Sequence, residues 1–225
     1  MKVTFIAAVL CLPFLLLGQS AHRFITVNGT AETVRSADQI SIRFDVRTVD
    51  ISQEKSKLAN DKEVGSIFLI SNRFEISNDD IKLSPLGFGK NYDYTHERKQ
   101  KGYYTSQEFT VLLRDLSHYY DFMNALSEKN AVDIQHADYQ ISDFVSQNKA
   151  VMESALKAAR EKAEYMVKAM GVKLGLVISI EEGEEWQSQT RNTNSFADSE
   201  RKALSSVQAG KVEIKRSVRV TFEIL

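Results

Sequence analysis

The chain has 225 residues, and its 29 Lys and Arg face 30 Asp and Glu for a net charge of −1. A balance this near neutral excludes a general binder of nucleic acid or anionic membrane that works by bulk charge. One cysteine, Cys11, excludes a disulfide framework.

Met1-Lys2 opens with a positive charge, Phe5 to Leu17 is apolar without a charged side chain, and small residues follow in Gly18-Gln19-Ser20-Ala21. This pattern predicts a secretory signal over residues 1–20, too short to span a bilayer, which needs roughly 20 apolar residues. The mature protein is expected to be periplasmic or secreted. Cys11 is not read as a lipid anchor, because Leu10 precedes it and the apolar run continues past it. Cys11 and Lys2 leave with the leader, so 28 basic side chains face 30 acidic ones and no thiol remains. After the leader no apolar run is long enough to cross a membrane. Residues 21–225 suffice for one large domain or two small lobes.

Phe24 to Glu32 reads as a strand with an irregularity at Gly29. Ile40, Ile42, Phe44 and Val46 alternate with polar residues, the period of a strand with one buried face. Ser36-Ala37-Asp38 between them predicts a hairpin turn. Asp50-Ile51-Ser52-Gln53 has capping-box spacing and opens a helix to about Asn72. Its apolar stripe is Leu58, Val64, Ile67, Phe68 and Ser71, and Asn60 to Glu63 form its wet side. A second hairpin is expected from Ile81 to about Tyr94 and from Gly102 to Arg114, with Phe109, Val111 and Leu113 inward and a charged tip at Thr95–Lys101.

Asp115 caps a shorter helix carrying Leu116, Tyr119, Met123 and Leu126. Val132 to Ile141 is a strand, and the strongest helix runs from about Phe144 to Met170. Its stripe is Met152, Ala155, Ala159, Ala163, Met166 and Met170, small in the middle and suited to close packing. Glu153/Lys157 and Glu164/Lys168 are spaced as i,i+4 pairs, and Gly171 fits the C′ position. Leu174 to Glu181 is a strand with Leu174, Leu176, Ile178 and Ile180 in phase. Residues 183–210 form a long polar loop. Val212 to Ile224 is the cleanest strand, and Arg216 alone breaks its apolar face. The order ββα-ββα-β-α-β-β predicts an α+β fold, a mainly antiparallel sheet with helices packed on it. The repeated ββα unit suggests two related lobes.

No catalytic constellation emerges. The histidines His22, His96, His118 and His136 lack metal-ligand spacing. His136 and Asp138 would share one side of their strand, with Asp133, Gln135 and Ala137 on the other, which reads as a solvated strand. G-x-S-x-G is absent. Gly87-Phe88-Gly89 sits in a strand and reads as a bulge rather than a phosphate loop. Asn28-Gly29-Thr30 fits a glycosylation sequon, but its place inside a strand argues against use. Glu181, Glu182, Glu184 and Glu185 before Trp186 form an acidic knot: solvated charge at a loop start, or a hard-cation site of the Ca²⁺ type.

The second hairpin interleaves Lys90, Arg98, Lys99 and Lys101 with Tyr92, Tyr94, Tyr103 and Tyr104. Aromatic–basic mixtures can stack nucleic-acid bases. In an exported chain of neutral balance the better reading is a protein contact surface, formed by Tyr92, Tyr94, Tyr103, Tyr104 and Trp186.

The ordered set of segments resembles the SIMPL family, exported bacterial proteins of the periplasmic immunogenic and oxidative-stress-defence types, long filed as a domain of unknown function. Ile25-Thr26-Val27-Asn28-Gly29-Thr30-Ala31-Glu32 is similar to the family's opening strand, V-x-G-x-G/A-E. Ile76-Ser77-Asn78-Asp79-Asp80-Ile81 follows the first helix as the family's G-I-x-x-x-D-I does. Gly102-Tyr103 and Val111-Leu112-Leu113-Arg114-Asp115-Leu116 resemble its G-Y and V-x-V-R-D-L. Ala158-Ala159-Arg160-Glu161-Lys162-Ala163-Glu164 and Gly171 resemble its long helix, and Gly210 with the last strand its ending. Phe74-Glu75, where the family has Leu-Gly, and Glu161 are departures. The resemblance implies an α+β subunit whose members can assemble into rings, with no agreed enzyme activity, cofactor or catalytic residue. The expectation is a non-enzymatic envelope protein without cofactor or metal, self-assembling, with a role in oxidative or envelope stress. The alternatives are a binding module for another exported protein or a cell-wall ligand, and a metal-dependent hydrolase built on the Glu181–Glu185 cluster.

Overall fold

The computed structural model describes residues 23–94, 99–183 and 210–225. The predicted leader, His22, His96, Arg98 and the acidic-loop residues Glu184, Glu185 and Trp186 lie outside them. Among the described residues eight strands and three α-helices follow the predicted order, except that the strand expected from Ile81 to Tyr94 is divided in two: β1 Phe24–Ser36, β2 Gln39–Asp50, α1 Gln53–Arg73, β3 Ile81–Leu83, β4 Gly87–Asp93, β5 Lys99–Leu113, α2 Tyr119–Ser127, β6 Val132–Gln140, α3 Phe144–Ala169, β7 Leu174–Glu182 and β8 Lys211–Ile224. The strands are antiparallel with helices packed against them, an α+β architecture.

They divide into two sheets. A five-stranded sheet has the order β3-β5-β2-β6, with β4 also pairing β5, and a three-stranded sheet has the order β1-β8-β7. The hairpin predicted from Ser36-Ala37-Asp38 does not form. β1 pairs β8 along its whole length, and β2 pairs β5 and β6. Residues 37–38 instead carry the chain between sheets. The Ala37 amide donates to the Gly210 carbonyl (2.8 Å) and the Asp38 amide to Gln140 (3.1 Å). Asp38 also accepts from the Ser142 amide and hydroxyl at 2.8 and 2.6 Å. The two ββα units are therefore not two lobes, because the first two strands belong to different sheets.

The larger core lies between the five-stranded sheet and α1 with α2. Ile40, Ile42, Phe44 and Val46 of β2 meet Phe109, Val111 and Leu113 of β5, with Ile67, Phe122 and Leu126 from the helices. Phe44 and Phe109 stack at 5.1 Å. The period-two pattern of β2 and β5 places these side chains on one face.

Helix α1 departs from its predicted stripe. Its N-cap is Ser52, whose hydroxyl accepts from the Lys55 amide (3.3 Å), two residues beyond the predicted Asp50. Leu58 is exposed, whereas Ser56 and Asn60 are fully buried. The Ser56 hydroxyl lies 3.1 Å from the Thr48 carbonyl and 3.0 Å from Thr105 Oγ1. Asn60 Nδ2 donates to the Val46 carbonyl at 3.0 Å and to Thr105 at 3.4 Å. Buried polar groups need such partners, so the first turns of α1 are fastened to β2 and β5 by hydrogen bonds and its later turns by Ile67 and Phe68.

Helix α3 covers the three-stranded sheet. Ala155, Ala159 and Ala163 are fully buried against Val27, Val218, Val220 and Phe222. Val151 and Val167 complete a ridge of five residues spaced four apart. Met166 and Met170, predicted within it, are exposed. Glu164 pairs with Arg160 (2.8 Å). Gly29 lies under the alanines: a Cβ there would fall 2.2 Å from the Ala155 carbonyl oxygen. The irregularity expected at Gly29 is absent, since the β1–β8 ladder runs through Gly29↔Val218 without a shift; the glycine is there for the close approach of α3. Arg216, buried on the same face of β8, donates through Nε to Asn148. Gly171 ends the helix at φ +72°.

Candidate functional site

The hairpin of β4 and β5 is set by a bulge, though not at Gly87-Phe88-Gly89. The ladder slips between Asn91 and Tyr92, opposite Gly102 and Gln100. Gly102 has φ +150°, and a Cβ on it would lie 2.3 Å from the Asp50 carbonyl oxygen. Glycine is required by both conformation and space.

The four described tyrosines of the predicted surface do not make one patch. Tyr103 opposes Lys90 and Asp50, whereas Tyr104 opposes Gly89 and Val49. Neighbours in a strand face opposite ways, so these two lie on opposite faces of the sheet. Tyr104 is covered: Gly89 sits over its ring, and the Arg47 guanidinium stacks 4.6 Å from its centroid. Arg47 also donates to Asn91 Oδ1 (3.2 Å). Tyr92 and Tyr94 meet at 6.1 Å. Tyr94 and Phe88 are the exposed rings of the hairpin; Phe88 escaped the sequence reading because it stood within the G-x-G pattern. Lys101 pairs with Asp93 at 3.4 Å.

On the outer face of the five-stranded sheet, β6 contains a second bulge. The ladder runs Arg43↔His136 and then Phe44↔Ile134, skipping Gln135. One extra residue inverts the alternation, so Asp133 joins His136 and Asp138 on one face, contrary to the expected division. His136 Nε2 lies 2.9 Å from Asp138 Oδ1, and both are exposed. Glu108, Asp45 and Asp133 stand side by side across β5, β2 and β6. Gln135 donates to Asp45 (3.3 Å) and Asp133 (3.0 Å). Burial first, then the Glu108 and Asp133 charges, push the Asp45 carboxyl above its usual value. Among the described residues no three His, Cys, Asp or Glu are grouped to hold a metal ion. His118 lies 3.7 Å from Asp115 and 5.8 Å from the Phe74 ring.

The three-stranded sheet carries the larger apolar exposure. Among the described residues β7 is an edge strand, hydrogen-bonded to β8. Of its predicted buried phase only Leu174 packs on the core under α3; Leu176, Ile178 and Ile180 are 79%, 54% and 57% exposed, and Val177 between them is 46% exposed. Val177 and Ile180 oppose Phe222 and Val220, which lie under α3, yet the helix does not cover them. Three consecutive aliphatics, Leu176-Val177-Ile178, were the signal that this strand is not a simple one-faced one. Glu181, from the acidic knot, lies 4.0 Å from Arg219. At the other edge, the start of β1 and the last turns of α3 enclose an apolar groove of about 560 Å³, lined by Phe24, Tyr165, Met166, Met170 and Ile224 among others. Tyr165 and Phe24 were not singled out by pattern, because neither falls on a buried stripe. No described helix is long and apolar enough to cross a membrane.

No curated protein matches the chain at a significant level. A family model described as SIMPL, a protein of unknown function (DUF541), matches residues 25–222. That span reaches into every strand and helix described above, and the chain belongs to the SIMPL family.

Proposed function

We propose that this chain is an exported, non-enzymatic envelope protein that assembles with copies of itself and supports tolerance of oxidative or envelope stress. The observation that carries the assembly is β7, an edge strand with four exposed aliphatic side chains in a row of five. Exposed, apolar sheet edges are templates for pairing with another chain, and natural proteins guard or cover them. Export rests on the leader of residues 1–20 and the stress role on the resemblance to defence-type members. Light scattering of residues 21–225 tests the assembly: a discrete multiple of the monomer mass is expected. A strict monomer at every concentration, with no partner recovered from envelope extracts, would remove this reading. Deletion of the gene should increase killing by peroxide; unchanged survival would remove the stress role.

A second reading, a binding module for another exported protein or a cell-wall ligand, is favoured by the exposed rings of Phe88 on β4 and Tyr94 just after it. Phe88→Ser with Tyr94→Ser should then abolish capture of the partner at unchanged thermal stability.

A further inference from the structure

The β7 edge also indicates what covers it. From Lys173 to Glu181 the sequence is Lys-Leu-Gly-Leu-Val-Ile-Ser-Ile-Glu, with no charge and no proline between its ends. Read outward from Val177 in both directions, like meets like. Leu176 matches Ile178, Gly175 matches Ser179, Leu174 matches Ile180, and Lys173 matches Glu181 with opposite charge. An antiparallel pair of identical strands related by a two-fold axis at Val177 brings these residues face to face. Cross-strand aliphatic pairs and opposite charges stabilise such ladders, and like charges oppose them. Other registers lose the match. Centring on Ile178 sets Leu174 against Glu182 and Gly175 against Glu181. Centring on Leu176 sets Lys173 against Ser179 and Glu181 against Gly171.

The structure leaves this edge suited to the pairing. The ladder of β7 with β8 slips between Leu174 and Val177 and again between Val177 and Ser179. The slips break the alternation, so aliphatic side chains lie exposed from Leu176 to Ile180 while Leu174 packs on the core under α3. β1, the opposite edge of the same sheet, has Phe24 and Val34 exposed near its two ends but Asn28, Glu32 and Arg35 between or beside them, whereas the four exposed aliphatics of β7 are consecutive but for Ser179.

We infer that two copies of this chain join through β7, antiparallel about a two-fold axis at Val177, so that their three-stranded sheets fuse into one six-stranded sheet. The inference rests on the self-assembly reading above and assigns its contact. An isologous contact of this kind closes on itself. Ring-like or larger assemblies therefore need a second, different interface.

The test uses residues 21–225, which contain no cysteine. In the inferred register Val177 opposes itself across the axis, at the roughly 4.5–5.5 Å Cα separation of facing strand residues, within reach of a disulfide. Val177→Cys should therefore give an oxidised dimer in high yield. Leu176→Cys and Thr30→Cys should not, because Leu176 opposes Ile178 and Thr30 lies on the β1 edge. Lys173→Glu should raise the dimer dissociation constant about tenfold, since two such pairs turn repulsive in each dimer, and Lys173→Glu with Glu181→Lys should restore it. Thermal unfolding of each variant controls for folding. An assembly that persists with no cross-link at 177 and no response to the charge reversals overturns the β7 contact while leaving self-assembly standing. A strict monomer overturns both.

Discussion

Replacing Gly29 by alanine probes how α3 is seated on its sheet. The added Cβ would lie 2.2 Å from the Ala155 carbonyl oxygen, 2.6 Å from the Ala159 nitrogen and 2.7 Å from the Ala159 Cβ. Ordinary contact begins near 3.4 Å, and two of the three obstructing atoms are helix backbone, which cannot swing aside as a side chain can. α3 must therefore retreat by roughly 1 Å, and a radial gap of that size forfeits up to about half the dispersion energy of each contact it opens. The contacts at stake are those of Ala155, Ala159 and Ala163 with Val27, Val218 and Val220. Simple overpacking costs about 1–3 kcal/mol, and the opened interface brings the expected loss to about 3–5 kcal/mol. Domains of this size are stable by roughly 5–15 kcal/mol, so Gly29→Ala should remain folded in the cold. Its urea midpoint should fall by about 1.5–2.5 M for a slope near 2 kcal/mol/M. Ala159→Gly in the same chain should recover part of the loss, since it removes the contact at 2.7 Å but leaves the one at 2.2 Å. Backbone conformation does not confound the experiment, because the glycines at positive φ are Gly102 and Gly171. A loss below about 0.5 kcal/mol, within the range of a neutral surface change, would refute the close approach.

Three further outcomes follow from the same contacts. Asn60→Ala removes two hydrogen bonds to strand carbonyls at a fully buried position and should cost about 2 kcal/mol in chemical denaturation; a neutral result would show that the polar fastening of α1 is dispensable. Arg114 donates twice to Asp80 at 2.7 Å, and these hydrogen bonds hold the Asp80 carboxyl below its ordinary 3.8. That contribution is present above pH 3.8 and lost as pH falls through the lowered value. Arg114→Gln should thus melt earlier than the parent at pH 6, with the gap closing in strong acid; a gap that persists at pH 2 would exclude this origin. Asp45 has the opposite sign. Its raised carboxyl favours the fold below pH 3.8 and that contribution fades as pH rises through the folded value, so Asp45→Asn should stabilise at neutral pH and lose its advantage in acid, as thermal melts at the two conditions would show.

Sequence by itself determined the order of elements, the α+β class and most of the inward faces. Phe44, Val46, Phe109 and Val111 are found where a period of two puts them, and Ala155, Ala159 and Ala163 where a helical ridge does. These are local consequences of backbone geometry, and they are legible without knowing what lies opposite. Partnership is not local. Ser36-Ala37-Asp38 has the chemistry of a turn, yet β1 pairs with a strand nearly two hundred residues away, because antiparallel pairing is decided by which faces must be buried together. The bulge at Gln135 reversed the sides of Asp133 and His136, a change a single skipped residue makes and periodicity cannot register. Asn60 was read as wet because its side chain is polar; the strand carbonyls that accept from it lie 14 and 45 residues away. The exposed aliphatics of β7 were read as core for the converse reason. Composition reports that a side chain prefers burial, but whether the chain's own helices reach far enough to provide it is a tertiary matter, and here α3 covers β1 and β8 but of β7 only its first residue, Leu174.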